Sequence, residues 1–327
     1  MRWYNPNMDG ITDLYIACCS KDAGILHATI DDNGVLCRRE MVHLDRPMYL
    51  AKDGRQIYAT LRSPYADSSC SSEVCIAISD DGSLGSCSGE RSTHGLVSAY
   101  ISVLDGRIYT ANYLSSSISR IPDIVVEHEG QGKDIARQDA PHPHQIIPTP
   151  DGEFLAVCDL GLDAICTYSK DLVLCDEARL PAGSGPRHIA FSQDGEHAFL
   201  ACELSSETAV LGYCNGHFNL QSMHRGIPSS FAGENLSAAI RTAGDMVYVS
   251  QRGYDSITHY RIRGDGLELV TNTSCGGHWP RDFIIVDGFL IVANEQSGNL
   301  ASFKMENGLC SEMASELECP SPIALID

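Results

Sequence analysis

PHPHQIIPTPDGEFLAVCDLGLDAICTY (141–168) and GPRHIAFSQDGEHAFLACELSSETAVLGY (185–213) are one phrase written twice. Each opens on a proline and a His or Arg, runs through a short apolar segment and turns at Asp-Gly. A second apolar segment, a polar loop and a third segment with an aromatic residue near its end follow. Segments this short, rich in Val, Ile, Leu, Phe and Tyr, read as strands rather than helices. Asp-Gly supplies the positive φ that a tight hairpin requires. Further copies are PMYLAKDGRQIYATL (47–61), VSAYISVLDGRIYTANYLSSSISRI (97–121), LSAAIRTAGDMVYVSQRGYDSITHY (236–260) and WPRDFIIVDGFLIVANEQSGNLASF (279–303). Between copies, SDDGSLG, RGDGLEL and MENGLC each add a turn and a fourth strand. The period of roughly 40 to 50 residues is that of a propeller blade.

A seventh copy is split between the two ends of the chain. LYIACCSKDAGILHATIDDNGVL (14–36) carries the second, third and fourth strands, and PSPIALI (320–326) reads as the missing first. Joining them closes a ring and removes the exposed sheet edges of an open row. The expected fold is therefore all-β: one domain over 1–327, a seven-bladed β-propeller of four-stranded antiparallel blades. Its ring is closed by the C-terminal strand joining the N-terminal blade.

Composition narrows the function. Of 327 residues, 43 are acidic and 23 basic, a net charge of −20. That field repels nucleic acid, and no Lys/Arg-rich run offsets it. No apolar run approaches the length of about 18 residues that marks a membrane span, and MRWYNPNMDGITDL lacks the order of a signal peptide. The expected location is cytoplasmic, with no membrane partner. The 14 Cys form no C-x-x-C and several sit in apolar strands, so reduced core thiols are expected. Adjacent Cys18 and Cys19 are the redox candidates.

Antiparallel strands place successive loops on alternate rims. One rim collects Asp53-Gly54, Asp105-Gly106, Asp151-Gly152, Asp194-Gly195 and Asp287-Gly288, with Asn33-Gly34, Asp81-Gly82, Asn215-Gly216, Asp265-Gly266 and Asn307-Gly308, and is structural. The other collects residues that follow a proline at the start of a first strand (His144, Arg187, Arg281). It also receives those that end a second strand (Asn112, Asp159, Glu203, Arg252, Asn294, Glu295). Hairpin geometry brings Arg187 and Glu203, 16 positions apart, to the same rim. Several blades doing this together build a funnel of imidazole, guanidinium and carboxylate at one channel mouth.

The phrase VEHEGQGKDIARQDAPHPHQIIPTPDGEFLAVCDLGLDAICTY resembles the 6-phosphogluconolactonase family of seven-bladed propeller lactonases. It carries that family's H-x-G-x-G (His128 to Gly132), R-Q (Arg137-Gln138), P-H-x-H (Pro141 to His144) and D-L-G-x-D (Asp159 to Asp163). GPRHIAF with ELSS, QRGYDSI, and PRDF with VANEQS extend the likeness over most of the chain from about residue 93. The phrase ACCS (Ala17 to Ser20) stands where the family usually has G-T-Y-T. The related fungal carboxymuconate cyclases imply a site of one His (His142 or His144), Arg187, Glu203 and Arg252.

Opening a sugar lactone is acyl transfer to water and needs a base and donors for the oxyanion, not a covalent nucleophile. No G-x-S-x-G elbow and no H-E-x-x-H occurs, so neither a metal nor a cofactor is expected. The expected catalytic residues are His144, Arg187, Glu203 and Arg252, with Glu203 or His144 activating water. Arg137, His142, His188, Arg281 and Asp159 are the expected substrate-binding residues, for a small anionic lactone. 6-Phosphogluconolactone is the favoured substrate; a muconolactone-type reaction on a carboxylate and a non-catalytic protein-binding propeller are the alternatives.

Overall fold

The computed structural model describes residues 10–62 and 70–327. Its strands form seven four-stranded antiparallel sheets, and no helix occurs among the described residues. In six sheets the strands follow chain order outward from an inner strand. The inner strands are Pro47–Asp53, Ser98–Leu104, Pro143–Pro148, Pro186–Phe191, Leu236–Ala243 and Pro280–Val286, and these head blades 2 to 7. Blade 1 is the composite one. Pro322–Ile326 lies innermost, followed by Ile11–Cys18, Gly24–Asp31 and Leu36–His43. Tyr15 pairs with Ile326, Ile16 with Leu325 and Ala17 with Ala324. Each inner strand packs against those of both neighbouring blades, around the circle and back. The seven-bladed all-β ring and its closure are as the repeat predicts.

Stability resides between blades. Phe199, Val210, Val247 and Tyr260 form one cluster from blades 5 and 6, and Leu14, Leu26, Ile291 and Leu300 form another from blades 7 and 1. A single blade would leave both faces of its sheet wet, and full burial of each such side chain contributes about 1.5–3 kcal/mol. Second strands are accordingly buried along nearly their whole length, as in Met246–Arg252, while the outermost Leu309–Glu318 is mostly exposed. Tyrosines stitch neighbours together. The hydroxyls of Tyr15, Tyr109 and Tyr248 each donate, at 2.8 Å, to a carbonyl in the outer turn of the next blade: Gly82, Lys170 and Gly308. The rim of tight turns is also as expected. Asp105-Gly106, Asp287-Gly288, Asn215-Gly216 and Asn307-Gly308 take positive φ at both central residues, the condition of a type I′ hairpin.

The other end of each inner strand departs from regular pairing. Pro186 pairs with Cys202 and His188 with Ala201, so Arg187 between them has no partner. The same slip isolates His144, Arg281, Met48, Ala99 and Ile323, and in blade 6 two alanines, Ala238 and Ala239, face Ser250 alone. Every blade therefore carries a β-bulge next to its entry to the channel. A bulge adds one residue to one strand and re-aims its side chain.

Candidate active site at the channel mouth

The bulges and the ends of the second strands surround a cavity of about 340 Å³. Met48, Ala99, His144 and Arg281 reach it from bulges. Arg62, Tyr113, Glu203 and Arg252 reach it from the ends of second strands or just beyond, and Arg137 reaches it from the loop ahead of blade 4. Trp279, held at φ +66° just before Pro280, closes one wall. Its N–H donates to Asp255 Oδ1 at 2.8 Å, which fixes that conformation, and the Arg252 guanidinium lies 5.7 Å from its ring.

Glu203 is the hub. Arg137 Nη2 donates to Oε1 at 2.6 Å, while Arg252 Nη2 lies 2.7 Å and Arg187 Nε 3.0 Å from Oε2. The Arg187 approach is close but poorly aligned, since its Nε and Nη1 make no hydrogen bond. It is an ion pair without a directed bond. Burial raises the Glu203 pKa, but the charges of Arg252 and Arg187 outweigh it and hold the carboxyl well below its usual range. Arg187 is pulled down to about 9, first by burial and then by the like charge of Arg252. Arg252 is lowered too, chiefly by burial. Arg137 shares the same carboxylate yet shifts upward. Its side chain is 36% exposed, so the desolvation that lowers it is overcome by the bond and charge of Glu203.

Arg281 pairs with Glu295 at 3.1 Å. The cavity walls thus carry four arginines, Arg62, Arg137, Arg252 and Arg281, and one carboxylate, Glu203, while Arg187 and Glu295 adjoin them as the ion-pair partners of Glu203 and Arg281. In a chain of net charge −20 the mouth has an excess of three positive charges. His144 is driven well below the ordinary imidazole pKa by burial first and the charge of Arg187 second, so its ring is neutral at pH 7. Its Nδ1 has no hydrogen-bond partner.

The family motifs build a scaffold behind this surface. His128 Nδ1 donates to Asp159 Oδ2 at 2.6 Å, and the Tyr168 hydroxyl donates to His128 Nε2 at 2.8 Å. Asp159 Oδ1 accepts from the N–H groups of His142 (2.8 Å) and Leu162 (3.1 Å). Gln138 Nε2 donates to Asp163 Oδ1, which also receives the Gly185 N–H, tying the Arg137 loop to the start of blade 5. Gly161 lies so near that loop that a Cβ would sit 2.0 Å from the Ala140 carbonyl oxygen. These residues fix the direction from which Arg137 and His144 enter.

His144, Glu203, Arg252, Arg137 and Arg281 are therefore gathered as walls of one mouth; Arg187, expected to be catalytic, is buried against Glu203 and is not itself a wall of the cavity. Three expected binding residues are not among the cavity walls. Asp159 is wholly buried, turned back to satisfy its own loop. His142 donates from Nδ1 to the Tyr113 carbonyl and stacks at 4.4 Å on the Tyr113 ring, so Tyr113 rather than His142 faces the cavity. His188 lies deeper in the channel, edge-on to His144 (5.2 Å) and Tyr100 (5.4 Å). Arg62, Met48 and Trp279 were absent from the sequence-based set. Arg62 follows a second strand as Glu203 does, and Trp279 precedes Pro-Arg at a blade entry; those positions were the available signals. Among the described residues no three His, Cys, Asp or Glu side chains are grouped to hold a metal.

A closed seven-bladed ring with a guanidinium-rich funnel at one mouth defines the class of protein. The family can then be stated: residues 13–326 match the model of the lactonases with a seven-bladed β-propeller, and the chain belongs to that family. An uncharacterized protein of Staphylococcus aureus (strain USA300) is 38% identical over 205 residues, which span 60% of this chain and 60% of that protein's length. A periplasmic gluconolactonase of Pseudomonas aeruginosa superposes with a TM-score of 0.88 at 24% identity, covering 97% of this chain and 98% of the other. A Bacteroides fragilis protein assigned as a 6-phosphogluconolactonase gives 0.88 at 23%, covering 99% of each. At these identities the two structural likenesses are of fold.

Proposed function

We propose that the protein hydrolyses a phosphorylated sugar lactone, 6-phosphogluconolactone, at this mouth. The observation that carries the reading is the excess of guanidinium over carboxylate in a strongly acidic chain. Fork-shaped donors of this kind suit phosphate and the oxyanion of acyl transfer.

His144 is the better-placed base. Both groups are weakly basic here, but the His144 ring is neutral at pH 7 with Nδ1 bonded to nothing, whereas the Glu203 oxygens are committed to three guanidiniums. His144 takes a proton from water as the water oxygen attacks the lactone carbonyl carbon. Arg252 and Arg137 stabilise the oxyanion, and Glu203 holds both in place. Collapse of the tetrahedral species breaks the ring C–O bond, and the departing alkoxide takes the proton back from His144. The product is the open hydroxy acid, which ionises to its carboxylate. Arg281 and Arg62 hold the phosphate, and Trp279 and Tyr113 wall the sugar ring.

The test is direct. Loss of 6-phosphoglucono-δ-lactone is followed by NMR with and without protein, beside unphosphorylated glucono-δ-lactone. A rate above the buffer reaction and a preference for the phosphorylated lactone are expected. A phosphorylated lactone that opens no faster than in buffer removes the reading; equal kcat/KM for the two removes its phosphate half.

A further inference from the structure

The ring closes at one seam, and the seam holds two thiols. Cys18 ends the strand Ile11–Cys18 of blade 1. Cys319 follows the outer strand of blade 7, Leu309–Glu318, in the crossover that leads to the closing strand. Their Sγ atoms lie 3.4 Å apart although the residues are 301 positions apart in sequence. Both are wholly buried, packed with Ile16, Ala23, Leu26 and Leu300. The backbone on both sides is fixed: Cys19 N–H donates to the Ser321 carbonyl and Cys319 N–H to the Gly298 carbonyl, each at 2.9 Å. The adjacent Cys18-Cys19 pair suggested by the sequence divides here, since the Cys19 thiol turns to the Met48 sulfur at 3.6 Å.

We propose that Cys18 and Cys319 form a latent disulfide that locks the propeller ring shut. The sulfurs need to close by about 1.4 Å to reach bonding distance near 2.05 Å. Otherwise the ring is held at this seam by strand pairing and apolar packing, which can part locally. A bond between positions 18 and 319 spans nearly the whole chain and constrains the unfolded state over that length. With a hydroperoxide as oxidant the chemistry balances. One thiolate attacks a peroxide oxygen, giving a sulfenic acid and, with hydrogen peroxide, one water after protonation. The second thiol attacks the sulfenic sulfur, forming the S–S bond and releasing a second water. Two thiols lose two electrons and two protons, and the peroxide is reduced to two waters. The hydrogen bond to Cys18 and burial both push the Cys319 thiol upward, so its thiolate is scarce and the lock closes slowly.

The experiment compares the protein before and after hydrogen peroxide. Samples are denatured, alkylated and digested, and the linked Cys18–Cys319 peptide is sought by mass spectrometry beside a thermal melt. The linked peptide is expected, together with a rise of several degrees in the unfolding midpoint that dithiothreitol reverses. Cys319→Ala abolishes both responses. Should that variant be poorly folded, the wild-type comparison of oxidised with reduced protein stands alone. Exposed Cys175 and Cys214 serve as the control for oxidant dose. If they are oxidised while Cys18 and Cys319 remain alkylable, or if the linked protein melts at the same temperature, the proposal is overturned.

Discussion

Replacing Glu203 with glutamine keeps the size of the side chain and deletes its charge. Arg187 and Arg252, 3% and 4% exposed, are then left only the more distant charges of Asp282 and Glu295 respectively. Arg137, one-third exposed, can turn to water. Removing one member of a buried ion pair costs about 3–5 kcal/mol. At about 2 °C per kcal/mol for a chain of this size, the melting midpoint should fall by roughly 6–10 °C. Thermal denaturation by circular dichroism measures it. Glu203→Gln combined with Arg187→Met removes a buried charge along with its counter-charge and should be more stable than Glu203→Gln alone. The carboxyl pKa is depressed in the fold, so its contribution is present above about pH 4.3 and is lost as the pH falls through the folded value. The glutamine variant should therefore differ from wild type at pH 7 more than at pH 3. A midpoint within about 2 °C of wild type, or a double variant less stable than the single by the full cost of Arg187→Met, would refute the hub.

Acid should weaken the protein well before carboxylates titrate. His144 and His188 are held well below 6.5 and His259 at about 4, chiefly by burial. Below pH 6.5 the unfolded chain binds protons that the folded one refuses, so stability falls by up to about 1.4 kcal/mol per pH unit for each imidazole. Urea titrations that superimpose at pH 7 and 5 would contradict this. His144→Gln should reduce kcat about 10²- to 10⁴-fold with little change in melting; a loss confined to KM would remove the base assignment. Arg281→Ala should raise KM for the phosphorylated lactone about 10- to 100-fold and leave the unphosphorylated one nearly unchanged, as steady-state kinetics on the pair will show. Asp159→Ala strands three donors behind the cavity wall and should cost about 3 kcal/mol in denaturant titrations, although Asp159 lines no part of the cavity.

Much of this protein could be read before its coordinates. Seven copies of one phrase, with PSPIALI supplying the strand that the first copy lacks, specify the ring, because paired strands leave their edges exposed until the circle closes. The division between rims was equally legible, since Asp-Gly corners and Pro-Arg entries fall on alternate ends of the strands. Radial position was not. Asp159 pairs with Pro143 as Cys202 pairs with Pro186, so Glu203 stands one position further along its blade; Asp159 turns back under its loop while Glu203 meets three arginines. That one-residue offset is a matter of pairing register, and successive positions of a strand face opposite sides. Arg62 lies one residue past the copy 47–61 and Trp279 opens the copy 279–303, and their place at the mouth emerges only when blades are superposed position by position. The bulges were invisible for a related reason: the slip is a relation between two strands, and neither strand carries it alone.

Those bulges separate two demands that usually compete. A strand in a buried sheet answers to its neighbours on both sides and tolerates little exchange. The slipped residue is released from backbone pairing, so the seats that face the cavity outside the packed core, now held by Ala99, His144 and Arg281, can be reassigned while the walls stand. A library confined to those positions would vary ligand preference in a chassis whose assembly it hardly touches.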